Sequence, residues 1–336
     1  MSEQGSDPGA TGEDDGIGRF DAFQRKHTVL GFPLGVAYKF LDDFGGYLAA
    51  LITYYGFLSL FPLFLLFSTI LGLVLEGYPQ WQQRILDSAI SEFPIVGEEL
   101  RKTGTLSGSP IGLVVGAVAA IYGGLGVGQA LQYAMNTAWM VPRNSRPNPF
   151  LSRARGLLMI CTAGVAVVAT SVLTQVANRL VVDGWESIAV DIGSIVLNTG
   201  VFVLLFIVAT TKTLTPRQVL PGAVIASVLF FVLQGVGVTY IGTVVARASD
   251  LNSVFAIVFG LLVFIYSNAV VVLLCVQLNV VLVERLWPRS LLTVFTDRVV
   301  LTDADRRAYE GQVKAQRLKG FQEISVGFER RRPDES

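Results

Sequence analysis

The side chains best placed to do chemistry in this chain are uncharged amides and hydroxyls set inside long apolar runs. Gln129, Gln132 and Asn136 follow one another at intervals of three and four residues. That spacing lays them along one side of a helix. Asn198, Gln234, Asn268, Gln277 and Asn279 sit in later runs, and Thr170, Ser171, Thr174 and Gln175 cluster within another. An amide in an apolar helix can bond a neighbouring helix, at about 0.6 kcal/mol per bond. It can instead line a polar path for a passing molecule. Asn136, Gln277, Asn279, Gln234 and Asn198 are the candidates for such a path, and both readings stand at this level.

None of these runs contains Asp, Glu, Lys or Arg. The buried ionisable groups that mark ion-driven pumps are therefore missing from them, which favours an amphipathic or uncharged cargo. Catalysis has less still to work with. The single histidine, His27, lies beside Arg25 and Lys26 in a polar segment, and no His, Cys, Asp or Glu group has metal-ligand spacing. No catalytic residue, metal or cofactor is expected on these residue types. Cys161 and Cys275 lie in apolar runs and read as small buried apolar residues. Two such cysteines make no disulfide framework.

The elements that carry these residues are six charge-free stretches: Phe44 to Leu75, Thr103 to Pro142, Gly156 to Asn178, Ile192 to Thr211, Gln218 to Ala246 and Leu251 to Val283. A membrane helix needs about 20 mostly apolar residues. Only 15% of the 336 residues are charged and 52% are apolar, far from the soluble average of about 25% charged. The runs are continuously apolar and do not alternate, which argues against a β-barrel. The predicted fold is all-α: a polytopic bundle of six transmembrane helices. Met1 to Asp15 is polar and acidic, unlike a signal peptide, so the first apolar run is expected to stay as a helix.

Basic residues set the expected orientation. Arg19, Arg25, Lys26 and Lys39 precede the first run. Arg143, Arg146, Arg153 and Arg155 follow the second without an acid between them, and Lys212 and Arg217 follow the fourth. The alternate connections are acidic or balanced. Both termini are therefore expected in the cytoplasm. Residues 1–32 form a polar, basic N-terminal segment, residues 33–286 the membrane domain with an external amphipathic loop over 77–102, and residues 287–336 a cytoplasmic tail. The ends, Met1 to Gly16 and about Lys319 to Ser336, read as disordered. The Arg143 to Arg155 stretch lacks interleaved aromatics and so does not read as a nucleic-acid surface.

Local patterns add detail. Pro33 to Phe44 places Val36, Ala37, Phe40, Leu41 and Phe44 on one helical face with Lys39, Asp42 and Asp43 opposite, predicting a short amphipathic helix at the interface. Trp81, Ile85, Ala89 and Phe93 repeat the idea in the external loop. Pro62 removes a backbone donor within the first run and should kink it. Gly56 and Ser59 complete a candidate hinge, against a plain packed kink. Gly112/Gly116 and Gly124/Gly128 make narrow helix faces.

The run Tyr54-Tyr55-Gly56-Phe57-Leu58-Ser59-Leu60-Phe61-Pro62-Leu63 resembles the YihY/BrkB family of bacterial inner-membrane proteins. The resemblance continues through Tyr122-Gly123, Asn136-Thr137-Ala138-Trp139, Pro221-Gly222-Ala223, Tyr240, Phe259-Gly260-Leu261-Leu262 and Leu278-Asn279. It covers roughly Leu34 to Leu286. It implies six helices with both ends inside, a bacterial plasma-membrane location and no settled substrate. Members have been linked to export of envelope lipid components, and some once carried the label ribonuclease BN. Members typically carry an acidic residue where this chain has Gln277, so the group a cation- or proton-binding mechanism would use is absent here. The leading expectation is a transporter or lipid-handling permease that meets membrane lipids and an amphipathic or uncharged substrate. The alternative is a non-transporting membrane scaffold for envelope integrity, and a membrane enzyme ranks third. No nucleic-acid partner is expected, and a homo-oligomer stays open.

Overall fold

The computed structural model describes residues 21–74, 77–78, 80–81, 83–84, 110–180, 186–244, 250–291 and 300–328. Ile85, Ala89 and Phe93 of the external stripe, and Met1 to Gly16, lie outside them. The described residues are mostly helical, without strands. The helices are α1 (Thr28–Asp42), α2 (Gly45–Val74), α3 (Pro110–Ala138), α4 (Pro149–Leu180), α5 (Glu186–Val208), α6 (Pro216–Val244), α7 (Asp250–Glu284) and α8 (Asp303–Ala315). Helices α2 to α7 run from 23 to 35 residues, and each is built on one of the charge-free stretches. Among the described side chains, Pro216–Gly237 and Val258–Glu284 are long and apolar enough to cross a membrane by length and composition. Gly45–Leu60 and Ile192–Val208 are shorter apolar stretches.

The long helices pack in chain order, α2 on α3 through to α6 on α7, and α7 returns to α2 to close a ring. Helix α3 also touches α7, and α1 lies against α7. Glycines let the helices approach. A Cβ on Gly128 would sit 2.8 Å from Gly156 Cα of α4, and one on Gly123 would sit 2.6 Å from Ser59 Cβ of α2. Small residues at such crossings allow the backbone-to-backbone contact that membrane helices favour. Helix α2 runs through Pro62 as helix, and the Ser59 hydroxyl donates to Gly56 O at 3.1 Å.

The packed core gathers at one end of the bundle. Met135, Trp139, Phe206, Val219, Val276, Val280 and Leu286 meet there, with Val36 from α1 and Ala308 from α8. The outer surface is apolar: Tyr54, Val118, Val196, Val236, Phe255, Phe259 and Val263 are all exposed. A water-soluble protein does not show so continuous an apolar exterior; hydrocarbon is its natural solvent.

Helix α1 forms as expected, but its faces do not divide as predicted: Val36 and Phe40 pack inward while Leu41 and Phe44 turn outward. Lys39 is fully buried and Asp43 is 5% exposed, whereas Leu41 and Phe44 are 54% and 68% exposed. The physical reason is the solvent. Where the outside is apolar, large side chains face out and charges pair inside. Lys39 and Asp43, one helical turn apart, form that ion pair. Cys275 is buried in the core as expected, but Cys161 is exposed on α4, because its position faces outward and an apolar exterior tolerates it. Packing runs on past residue 286: Leu286, Arg289 and Ser290 are buried, and α8 packs back on the bundle.

Candidate functional site

A cleft of about 350 Å³ opens between α2, α3, α4 and the α3–α4 connection. Gly126, Gln129, Tyr133 and Asn136 line it from α3, at spacings of three, four and three that keep them on one helical face. Leu51 and Tyr55 close it from α2, Ser152 from α4, and Arg146 and Pro147 from the connection. Gln132 fixes one wall: its Nε2 donates to Ser152 O at 2.9 Å, and its Oε1 accepts from the Ser152 hydroxyl at 3.2 Å. Arg146 lies over the Tyr133 ring, 5.2 Å from its centroid. Its Nε reaches Val141 O at 3.3 Å and one Nη reaches the Thr137 hydroxyl at 3.5 Å. Burial pushes this guanidinium below its ordinary value, Tyr133 partly offsetting it.

Of the five path candidates Asn136, Gln277, Asn279, Gln234 and Asn198, Asn136 lines this cleft, beside Gln129 and Gln132, which the sequence also singled out. Its Oδ1 accepts from the Thr210 hydroxyl at 3.2 Å and from the Thr211 amide and hydroxyl at 3.0 Å. Its Nδ2 donates to Gln132 O at 2.8 Å. Asn136 thereby pins the end of α3 to the α5–α6 connection. Asn279 lies between α6 and α7, where Pro221 breaks the helical donor pattern. Its Oδ1 accepts from Gly222 N at 2.8 Å and its Nδ2 donates to Val219 O at 3.1 Å. Gln277 points to a third place and donates to Asp43 Oδ2 at 2.7 Å. Asn198 and Gln234 are half-buried on α5 and α6. The three buried amides thus have three separate partners. Gly56 packs toward Ile265 of α7, and Pro62 is half-buried.

A second polar centre comes from residues outside the apolar runs, which is why reading those runs alone missed it. Arg289 is fully buried and pairs with Asp305 of α8 and, at 3.0 Å, with Asp42 of α1. Tyr38 and Tyr309 flank it at 5.8 and 5.4 Å. Gln24 Nε2 donates to Arg289 O at 2.6 Å, which ties in the N-terminal segment. Burial alone would lower the Arg289 pKa, but Asp42 and Asp305 together raise it. Burial alone would raise Asp305, but the Thr302 and Ser290 amides and Arg289 hold it below 3.8. Asp42 is raised by burial in spite of Arg289. The sequence signals were there: Lys39 and Asp43 four apart, and Thr302 three before Asp305, a capping box that forms as that spacing allows. Among the described residues no three His, Cys, Asp or Glu side chains gather as a metal site requires.

Comparison with known proteins finds a membrane protein among the relatives. Over 275 residues the chain is 22% identical to the inner membrane protein YhjD of Escherichia coli (strain K12), covering 75% of this chain and 80% of that protein. No solved structure matches. Residues 36–291, α1 through the buried segment after α7, match the family described as virulence factor BrkB, and the chain is a membrane protein of that family.

Proposed function

We propose that this chain crosses the bacterial plasma membrane six times with both termini in the cytoplasm. There it acts as a transporter or permease for an amphipathic molecule, taken up at the cleft between α2, α3 and α4. The observation that carries the reading is the cleft's position. Its wall holds Gln129, Gln132, Asn136 and Arg146, and it adjoins the apolar exterior at Leu51 and, beside Tyr55, at Tyr54. A molecule with a polar head and an apolar body fits that junction. The orientation rests on the basic residues. Arg143, Arg146, Arg153 and Arg155, Lys212 and Arg217, and Arg285 and Arg289 follow α3, α5 and α7, the side that faces the cytoplasm under the charge rule. The name of the similar protein, an inner membrane protein, supports the location.

The test is movement. The purified protein goes into liposomes holding a trace of head-group-labelled fluorescent lipid, and an impermeant quencher is added outside. The proposal predicts quenching that proceeds beyond the outer leaflet at a rate set by protein density. Quenching that stops at the outer-leaflet fraction, for anionic and zwitterionic lipids alike, contradicts it. A scaffold role draws on one observation: Val300 and Phe321 of the C-terminal segment are 79% and 91% exposed, as a docking partner would use. Neither catalysis nor nucleic-acid binding is part of the proposal.

A further inference from the structure

We propose that the α2–α3–α4 cleft is a site for the head group of an anionic phospholipid, with Arg146 as the residue that reads the phosphate. The inference rests on the membrane reading above and narrows its cargo, since the apolar runs alone favoured an amphipathic or uncharged one. Three observations carry it. First, Arg146 meets no carboxylate among the described residues. Its hydrogen bonds go to neutral oxygens: Val141 O at 3.3 Å and the Thr137 hydroxyl at 3.5 Å, both long for a guanidinium, and the Tyr133 hydroxyl. A guanidinium carries five N–H donors, so these three partners leave N–H groups for an anion, and the fork geometry of arginine suits phosphate oxygens. Second, among the described residues no Asp or Glu lines the cleft to repel that anion. Gln129 is exposed and makes no hydrogen bond among the described residues, and Ser152 and Tyr133 bring hydroxyls to the same wall. Third, the cleft leads onto apolar exterior. Leu51 is 38% exposed and Tyr54, the neighbour of Tyr55, is 60% exposed. A volume of about 350 Å³ holds a head group and not a whole lipid, so the acyl chains lie along α2 in the surrounding bilayer.

The experiment reads equilibrium occupancy by native mass spectrometry of the full-length protein. Dioleoyl phosphatidylglycerol, dioleoyl phosphatidylcholine and soluble glycerol 3-phosphate are titrated separately. The expected result is a preference of about tenfold for phosphatidylglycerol over phosphatidylcholine, the worth of one charge-assisted contact, with no measurable glycerol 3-phosphate binding. Arg146→Gln abolishes the preference and Arg146→Lys keeps part of it. Arg153→Gln, which removes an exposed arginine from the same region, leaves it in place. Arg146 also braces the α3–α4 connection, so Gln129→Trp gives an independent arm. It fills the cleft from an exposed position with no hydrogen bond to lose, and it should displace both lipids while melting like wild type. Equal loss in Arg153→Gln and Arg146→Gln would assign the effect to diffuse surface charge and overturn the site. Equal binding of the two lipids, glycerol 3-phosphate binding as tight as the lipid, or unchanged occupancy in Gln129→Trp would each overturn it as well. Occupancy is independent of movement. Selective binding without flux would sink the transport reading alone, and flux without anionic preference would sink this inference alone.

Discussion

Replacing Asp305 by alanine should release α8 from the bundle. Asp305 accepts from Arg289 Nε, from the Ser290 amide at 3.0 Å and from the Thr302 amide at 2.9 Å. Its loss strands a fully buried guanidinium and opens the capping box in one step. Removing one partner of a buried pair costs about 3–5 kcal/mol, and a lost cap costs about 1 kcal/mol. Arg289 keeps Asp42 at 3.0 Å, so a net cost near the low end, about 3–4 kcal/mol, is expected. That shifts the docked-to-released ratio of α8 on the order of 10²–10³-fold. Trypsin reads the change directly, because Arg306, Arg307 and Lys314 lie in α8 and a docked helix must open before it is cut. Glu310→Gln is the matched control. It breaks an exposed pair with Lys314, both side chains more than 40% exposed, worth at most about 0.5 kcal/mol. Cleavage rates for Asp305→Ala within twofold of wild type would refute the claim that this ion pair holds α8.

Three further outcomes follow from the same geometry. Gly222→Ala places a Cβ 2.3 Å from Cys275 O and 2.4 Å from Asn279 Nδ2; a backbone carbonyl cannot step aside, so a loss of about 1–3 kcal/mol is expected in detergent melting, and an unchanged melt would contradict the close α6–α7 contact. Asn136→Ala removes the acceptor shared by Thr210 and Thr211; the loss should exceed the 0.6 kcal/mol of one membrane hydrogen bond and reach about 1–2 kcal/mol, read by the same melt. On acidification, Asp305, held below 3.8 when folded, contributes stability that is fully present above that value and is lost as pH falls through its folded pKa. Asp42, raised by burial, takes up its proton earlier without destabilising the fold. Hydrogen exchange in α8 should therefore stay slow from about pH 7 to about pH 5 and quicken only below about pH 4; quickening near pH 6 would contradict the assignment.

The long helices were legible because each charge-free stretch reaches the length a bilayer demands, and no other constraint competes with that signal. The glycine spacing was legible for the same reason: Gly128 reads as a small-residue face, and it meets Gly156. The facing of α1 was not. An amphipathic pattern says which residues share a face but not which solvent that face meets, and here Leu41 and Phe44 look out while Lys39 looks in. The partners of the buried amides were also invisible, since Asn136 reaches Thr210 across 74 residues and Gln277 reaches Asp43 across 234. Arg146 was read only as part of a basic connection. Its place over Tyr133 depends on how α3 and α4 meet, which periodicity does not record.

Everything functional here depends on which side of the membrane the cleft faces, and cysteine accessibility measures that directly. In a background carrying Cys161→Ser and Cys275→Ser, single substitutions Ser91→Cys, Ser145→Cys and Phe321→Cys are treated in intact cells with an impermeant thiol reagent. Ser91→Cys should react. Ser145→Cys and Phe321→Cys, exposed beside the cleft and on the C-terminal segment, should react only after the cells are opened. Labelling of Ser145→Cys from outside would invert the bundle and contradict the account.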